Sequence, residues 1–295
     1  MTQPTAPTAP VRPTRQQIAA QFDAFHTART GTGLSSRMYA AAMGEDYPPE
    51  IDASSSCDWP LLALMTARLR MRPGDLLMEA GCGTGGIGLW LARAFGARLM
   101  GFDLSPVAVK HASARPPSFG LPDSRADFRV AAIESTGLPD GIVHGAVCVD
   151  ALSFATNRAE GVRELGRVLA PGGRLVLTRA LRTGAEPVWE TEARAAGLVL
   201  EHVDERPHEP LIWERLYRLW IGHEQELRAE LGDVQADNML REAHQKLPTL
   251  PGRRAVLLTL RRPPAVPAAT ARADTMSGPA PRPGQGDPPD ERNPQ

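Results

Sequence analysis

Between residues 76 and 262, short apolar runs bounded by turn residues alternate with amphipathic helical stretches, which leaves few architectures open. The runs are LLMEA (Leu76–Ala80), ARLMGFD (Ala97–Asp103), ADFRVA (Ala126–Ala131), HGAVCVD (His144–Asp150), GRLVLTRAL (Gly173–Leu181), a stretch near Leu198–Val203 and the closing RRAVLLTLRR. Helix GGIGLWLARAF follows the first run, and Ser105 with Pro106 starts a helix after the second. A further helix over about Arg158–Leu169 stops at Pro171-Gly172-Gly173, and another lies near Pro187–Ala196. Strands alternating with helices are joined by crossovers. The expectation is an α/β protein with a doubly wound, mostly parallel sheet of seven strands, covered by helices on both faces.

Two stretches fall outside the alternation. Residues 15–70 are mostly helical, including a helix introduced by Asp58 and Pro60, and residues 207–248 insert helical pattern before the last strand. In that insertion Trp213, Leu216, Tyr217, Trp220 and Ile221 share one face at i, i+3, i+4, i+7 and i+8. Both insertions meet the sheet near the edge where such folds bind ligands, so they are expected to form a lid. The sheet domain then spans residues 71–262. Four prolines between Pro4 and Pro13 and nine between Pro263 and Pro294 mark residues 1–14 and 263–295 as segments with little to bury, expected to be disordered tails.

Charge narrows the partners. Lys plus Arg number 33 against 34 Asp plus Glu, a net −1, so the chain as a whole is not drawn to nucleic acid or to anionic membrane. Cys57, Cys82 and Cys148 lie far apart with no C-x-x-C pair, which suggests neither a disulfide framework nor a metal site. No run of about 18 apolar residues is present to span a bilayer. The opening MTQPTAPTAPVRPTR lacks the apolar stretch of a secretory signal, and a cytoplasmic protein is expected.

The chemistry concentrates at Glu79-Ala80-Gly81-Cys82-Gly83-Thr84-Gly85-Gly86. Glycines let the backbone turn sharply and approach a ligand, and amides at the following helix start receive polar groups. Twenty residues after Gly83, Asp103 ends the second strand, where a carboxylate accepts hydrogen bonds from both hydroxyls of a ribose. A nucleoside cofactor follows. Gly81, Gly83 and Gly86 also satisfy the dinucleotide pattern G-x-G-x-x-G, so the glycines alone leave a nicotinamide (NAD(P)-dependent) oxidoreductase open. Glu79 separates the readings: an acid beside the cleft repels a pyrophosphate and suits a cofactor carrying an ammonium and a sulfonium.

Glu79 with Gly81, Gly83 and Gly85, followed by GFDLS (Gly101–Ser105), IESTGLPD (Ile133–Asp140), a fourth strand ending at Asp150, and ELGRVLAPGGRLVLT (Glu164–Thr178), resembles the class I S-adenosylmethionine (SAM)-dependent methyltransferases. The last segment is similar to small-molecule enzymes related to the quinone-biosynthesis methyltransferases. The resemblance implies a Rossmann-like fold, SAM as cofactor, and in-line methyl transfer to a small, largely apolar acceptor, a metabolite or natural product of secondary metabolism. It implies that Glu79 and the Gly81-Cys82-Gly83 backbone hold the methionine part, Asp103 the ribose and Leu104 the adenine ring. Ile133 and Glu134 would flank the adenine edge, where the family usually has Asp, and Asp150 and Ala151 would lie beside the transferable methyl.

Candidate bases are His208 and His223, in or beside the proposed lid, and Tyr39, Trp213 and Tyr217 are candidates to line the acceptor pocket. A SAM-binding protein without methyl transfer and a SAM-dependent cyclase also remain open at this point. Asp150-Ala151-Leu152-Ser153 lacks the Pro-Pro-aromatic motif of base and amide methylation, which with the charge balance argues against a nucleic-acid substrate. A homodimer pairing through short helices of the N-terminal insertion is an option that periodicity does not decide.

Overall fold

A computed structural model describes residues 13–265, so the proline-rich tails inferred above lie almost wholly outside the described residues. Seven strands form one sheet: β1 (Leu76–Ala80), β2 (Arg98–Asp103), β3 (Ala126–Val130), β4 (Val143–Cys148), β5 (Leu169–Arg182), β6 (Val199–Glu205) and β7 (Arg253–Arg261). Their order is β3-β2-β1-β4-β5-β7-β6. Neighbours from β3 to β5 are parallel, and β7 runs antiparallel between β5 and β6. The order reverses between β1 and β4, which opens a crevice at their carboxyl ends.

The helices are α1 (Arg15–Arg29), α2 (Leu34–Met43), α3 (Trp59–Leu69), α4 (Gly86–Phe95), α5 (Pro106–Ser113), α6 (Arg158–Val168), α7 (Trp189–Ala195), α8 (Glu209–Gly222), α9 (Glu224–Leu231) and α10 (Asp233–Lys246). Local chemistry starts them where expected. Asp58 accepts from the Leu61 amide at the head of α3, and Ser105 from the Ala108 amide at the head of α5, each with Pro in the first turn. Asn157 caps α6 through the amides of Ala159 and Glu160.

Successive strand residues face opposite sides of the sheet, and two cores follow. Leu77, Leu99, Val147 and Val176 pack against Leu61, Leu62 and Met65 of α3 and Leu89 and Leu91 of α4. Met78, Phe102, Ala146 and Leu175 pack against Val162 and Leu165 of α6 and Trp189 of α7. A third core stands apart from the sheet. In it Leu34, Met38, Tyr39 and Met43 of α2 meet Ile212, Leu216, Tyr217 and Trp220 of α8, Leu227 of α9 and Met239 of α10. The two insertions are therefore one helical layer with a shared interior. Helix α3, though inside the expected lid range, belongs to the sheet's own covering.

Two boundaries differ from the sequence expectation. Strand β4 ends at Cys148, and Asp150 follows in the left-handed region at φ 53°. Strand β5 starts at Leu169, not Gly173, and its register against β4 shifts between Val143 and Gly145. A Cβ at Gly173 would lie 2.8 Å from the Ala170 carbonyl oxygen and 3.0 Å from that of His144, so Pro171-Gly172-Gly173 is a tight irregularity within the strand.

Candidate active site

At the carboxyl end of β1 the chain turns through Gly81 at φ 71°, where an added Cβ would stand 2.3 Å from the Cβ of Ala151. Only glycine fits this crossing of the β1 and β4 loops. The amides of Gly81 and Cys82 both donate to the Phe102 carbonyl at 2.8 Å. The next amide, Gly83, donates to Oδ2 of Asp103 at 2.8 Å, and Ser105 N donates to its Oδ1 at 2.9 Å. Burial pushes the Asp103 carboxyl up, partly offset by these amides. Glu79 lies deeper: its Oε2 accepts from Gly88 N of α4 at 2.9 Å, and burial pushes its carboxyl up to about 8.

Above this turn lies a cleft that opens to solvent. Glu79, Gly81, Cys82, Gly83, Asp103, Leu104, Ile133, Glu134, Asp150 and Ala151, the ten positions expected to touch the cofactor, all line it. Glu134 is partly committed elsewhere: its Oε1 accepts from the Thr156 hydroxyl at 2.7 Å and the Asn157 amide at 3.1 Å. Against burial, which pushes it up, those bonds hold its carboxyl below the usual range. Asp150 is tied at both oxygens. Oδ2 accepts from Ser56 N at 2.7 Å and Ser56 Oγ at 2.8 Å, and Oδ1 from Thr178 Oγ1 at 2.9 Å. The buried Arg206 donates in turn to Ser56 Oγ at 3.0 Å and to the Ser56 carbonyl at 2.6 Å. These bonds hold the segment before α3 against the end of β4.

The sequence reading did not place Phe22, Phe25 and His26 of α1 here, nor Ser54, Ser55 and Phe154, yet all six line the cleft. The i, i+3, i+4 spacing of Phe22, Phe25 and His26 is the signal that marks them as one helix face. Phe22 meets Phe154 edge-on with centroids 5.0 Å apart, and Phe154 is half exposed at the mouth. Burial, with the charges of Arg29 and His111, lowers the His26 imidazole to about 4, so it is neutral at pH 7.

Five other candidates lie elsewhere. Tyr39, Trp213 and Tyr217 belong to the core between α2 and α8, because the apolar stripe of α8 is spent on joining the helices of the two insertions, and among the described residues no side chain of α2 or α8–α10 lines the cleft. The Tyr217 hydroxyl bonds Glu242 at 3.1 Å, and Trp213 Nε1 bonds Glu209 at 2.9 Å. His208 is exposed at the head of α8; His223, exposed between α8 and α9, has its Nδ1 2.9 Å from the Leu219 carbonyl oxygen. Neither histidine lines the cleft.

Among the described residues, four carboxylates and no lysine or arginine line this space. Such a lining penalises a diphosphate and fits a nucleoside that carries positive charge. Its outer wall of Phe22, Phe25 and Phe154 is apolar.

Comparison with known proteins agrees with this geometry. Residues 78–177 match the family described as "Methyltransferase domain". Tocopherol O-methyltransferase, chloroplastic, of Arabidopsis thaliana is 34% identical over 120 residues, which cover 39% of this chain and 34% of that protein. Methyltransferase GfsG of Streptomyces halstedii is 29% identical over 170 residues, 54% of this chain and 59% of that one. The chain thus spans between a third and three fifths of the length of these two relatives. In fold it is similar to the [4+2]-cyclase SpnF, with a TM-score of 0.68 at 23% identity over 86% of this chain and 98% of that one. Residues 78–177 thus match a methyltransferase domain, at the centre of a chain with a Rossmann-like fold.

Proposed function

We propose that the chain binds SAM in this cleft and catalyses transfer of its methyl group to a small, largely apolar acceptor. One observation carries the reading: a glycine turn opens on a cleft lined by four acids, no lysine or arginine among the described residues, and a wall of phenylalanines. When bound, SAM supplies a methyl group activated on a sulfonium. The chain's residues supply position and dryness. Glu79 receives the amino group. Asp103 receives the ribose hydroxyls, since each of its oxygens accepts one amide N–H and retains a lone pair. Leu104 and Ile133 enclose the adenine, with Glu134 Oε2, which faces Arg15 at 3.9 Å, at its edge. Asp150 and Ala151 wall the end where the methyl is presented, and Phe22 and Phe154 keep water from it.

A metabolite or natural product is the acceptor class we favour. Curated relatives include, besides GfsG, a 27-O-demethylrifamycin SV methyltransferase of Amycolatopsis mediterranei, 30% identical over 113 residues. We place the reaction in the cytosol; no helix among the described residues is long and apolar enough to cross a membrane. Titration calorimetry with SAM, S-adenosylhomocysteine and NADH tests the reading. Binding of the first two without NADH is expected, and uptake of NADH alone overturns it. Incubation with labelled SAM and an extract of the source cells then identifies the acceptor by the mass of one added methylene.

A further inference from the structure

Helix α1 lies across the mouth of the cleft and is fastened along its length. Arg15 reaches to 3.9 Å from Glu134, Phe22 packs on Phe154, and Asp23 accepts from the Ser105 hydroxyl at 2.5 Å and the Val107 amide at 3.3 Å. His26 sits between these fastenings and the Arg29 side chain, which bonds Ser54. The residue is 8% exposed and lines the cleft, and its imidazole packs edge-on against Phe25 at 5.2 Å. The ring's Cε1 stands 3.7 Å from where a Cβ on Gly83 would be, so it overlooks the glycine turn.

Neither ring nitrogen of His26 makes a hydrogen bond among the described residues; the residue's backbone carbonyl accepts from the Thr30 hydroxyl at 3.0 Å. The ring lines the cleft, so its N–H can reach a ligand held there. Across the turn, the first-turn amides of α4 at Gly86 and Ile87 also find no acceptor among the described residues, and both residues line the cleft. Amides at a helix start favour negative charge. Glu79, Asp103 and Glu134 claim the ammonium, the hydroxyls and the adenine amino group, and Asp150 is tied to Ser56 and Thr178. The ligand's single anion must go where N–H groups converge, and that place is bounded by Gly83, the head of α4 and His26.

We propose that His26 donates a hydrogen bond to the carboxylate of the bound cofactor's amino-acid end, so that the lid itself holds the ligand. The inference rests on the reading of the cleft as a SAM site. It makes α1 a binding element as well as a cover: the helix is drawn down by the ligand it encloses.

The test compares two ligands that share the nucleoside, S-adenosylhomocysteine and 5′-methylthioadenosine, which lacks the amino acid. His26→Phe, which preserves the packing against Phe22 and Phe25, should weaken S-adenosylhomocysteine binding by about ten- to a hundredfold, the loss of a hydrogen bond to a charged group, and leave 5′-methylthioadenosine nearly unchanged. Equal loss for both ligands, or none for either, overturns the contact. Should His26→Phe fail to fold, nitrogen resonances of the His26 ring in the native protein decide. A shift on adding S-adenosylhomocysteine but not 5′-methylthioadenosine supports the contact, and no such difference overturns it. If the native protein takes up neither ligand, it is the SAM reading that falls.

Discussion

The carboxylate of Glu79 lies under the first turn of α4, 2.9 Å from the amide of Gly88, and any side chain at position 88 would have to displace it. A Cβ there would meet Glu79 Oε2 at 2.5 Å and Leu99 Cδ1 at 2.8 Å. The acid at the end of β1 is thereby held inside the cleft wall, where burial raises it from about 4.5 to about 8. In the empty protein at pH 7 it carries a proton. A cationic ligand drives that proton off, so SAM binding should release up to one proton between pH 6 and about 8 and none well above. Calorimetry in buffers of different ionisation enthalpy measures this, and Glu79→Gln should abolish it. A release that survives the substitution would assign the proton elsewhere.

The same group sets a stability trend. Its folded value lies above the unfolded one, so its contribution is fully present below about pH 4.5 and is lost as pH rises through about 8. The melting temperature of the ligand-free protein should fall across that window more steeply than that of Glu79→Gln. Parallel curves would show that Glu79 does not titrate there.

Asp103 joins the glycine turn to the ribose position. Asp103→Ala should weaken S-adenosylhomocysteine binding by about 1.5–3 kcal/mol, as for a hydrogen bond to a charged group. Calorimetry on a variant with native circular dichroism checks it, and unchanged affinity removes Asp103 from the site.

Arg206 and Asp150 meet only through Ser56, which bonds both. Arg206→Met deletes two buried donors and should cost about 1–3 kcal/mol of stability. Amide exchange should rise over residues 53–57 in particular. If stability falls while exchange there stays native, the link between β6 and this segment is not what holds it.

Leu216 is fully buried in the core that joins α2 to α8. Leu216→Ala should cost about 2–5 kcal/mol in chemical denaturation. Deletion of residues 1–58 strips Leu34, Met38, Tyr39 and Met43 from that core. The remaining α8–α10 should lose protection from exchange; a shortened chain that keeps it would show that the later insertion folds alone.

Local rules made most of the sheet legible. Ser105 with Pro106 and Asp58 with Pro60 start helices where capping predicts, and β1 and β7 begin where their apolar runs do. The cofactor positions were legible because they sit at strand ends and turns, whose place in the fold follows from chain order. The far wall of the cleft was not, since α1 reaches it only through tertiary contacts such as Asp23 to Ser105, which carry no local pattern. Trp213 and Tyr217 show the converse limit. An apolar stripe at helical spacing says that a face is buried but not what buries it.

The third core also fixes an order of events during synthesis. Its first contributors, on α2, leave the ribosome some 200 residues before α10 does, an interval of about ten to forty seconds at typical elongation rates of ~5–20 residues per second. Through most of that interval Leu34, Met38 and Tyr39 lack the α8–α10 side chains they pack against in the finished core. Every residue that lines the cleft, from Phe22 to Ala155, is thus made well before the helices that complete this core.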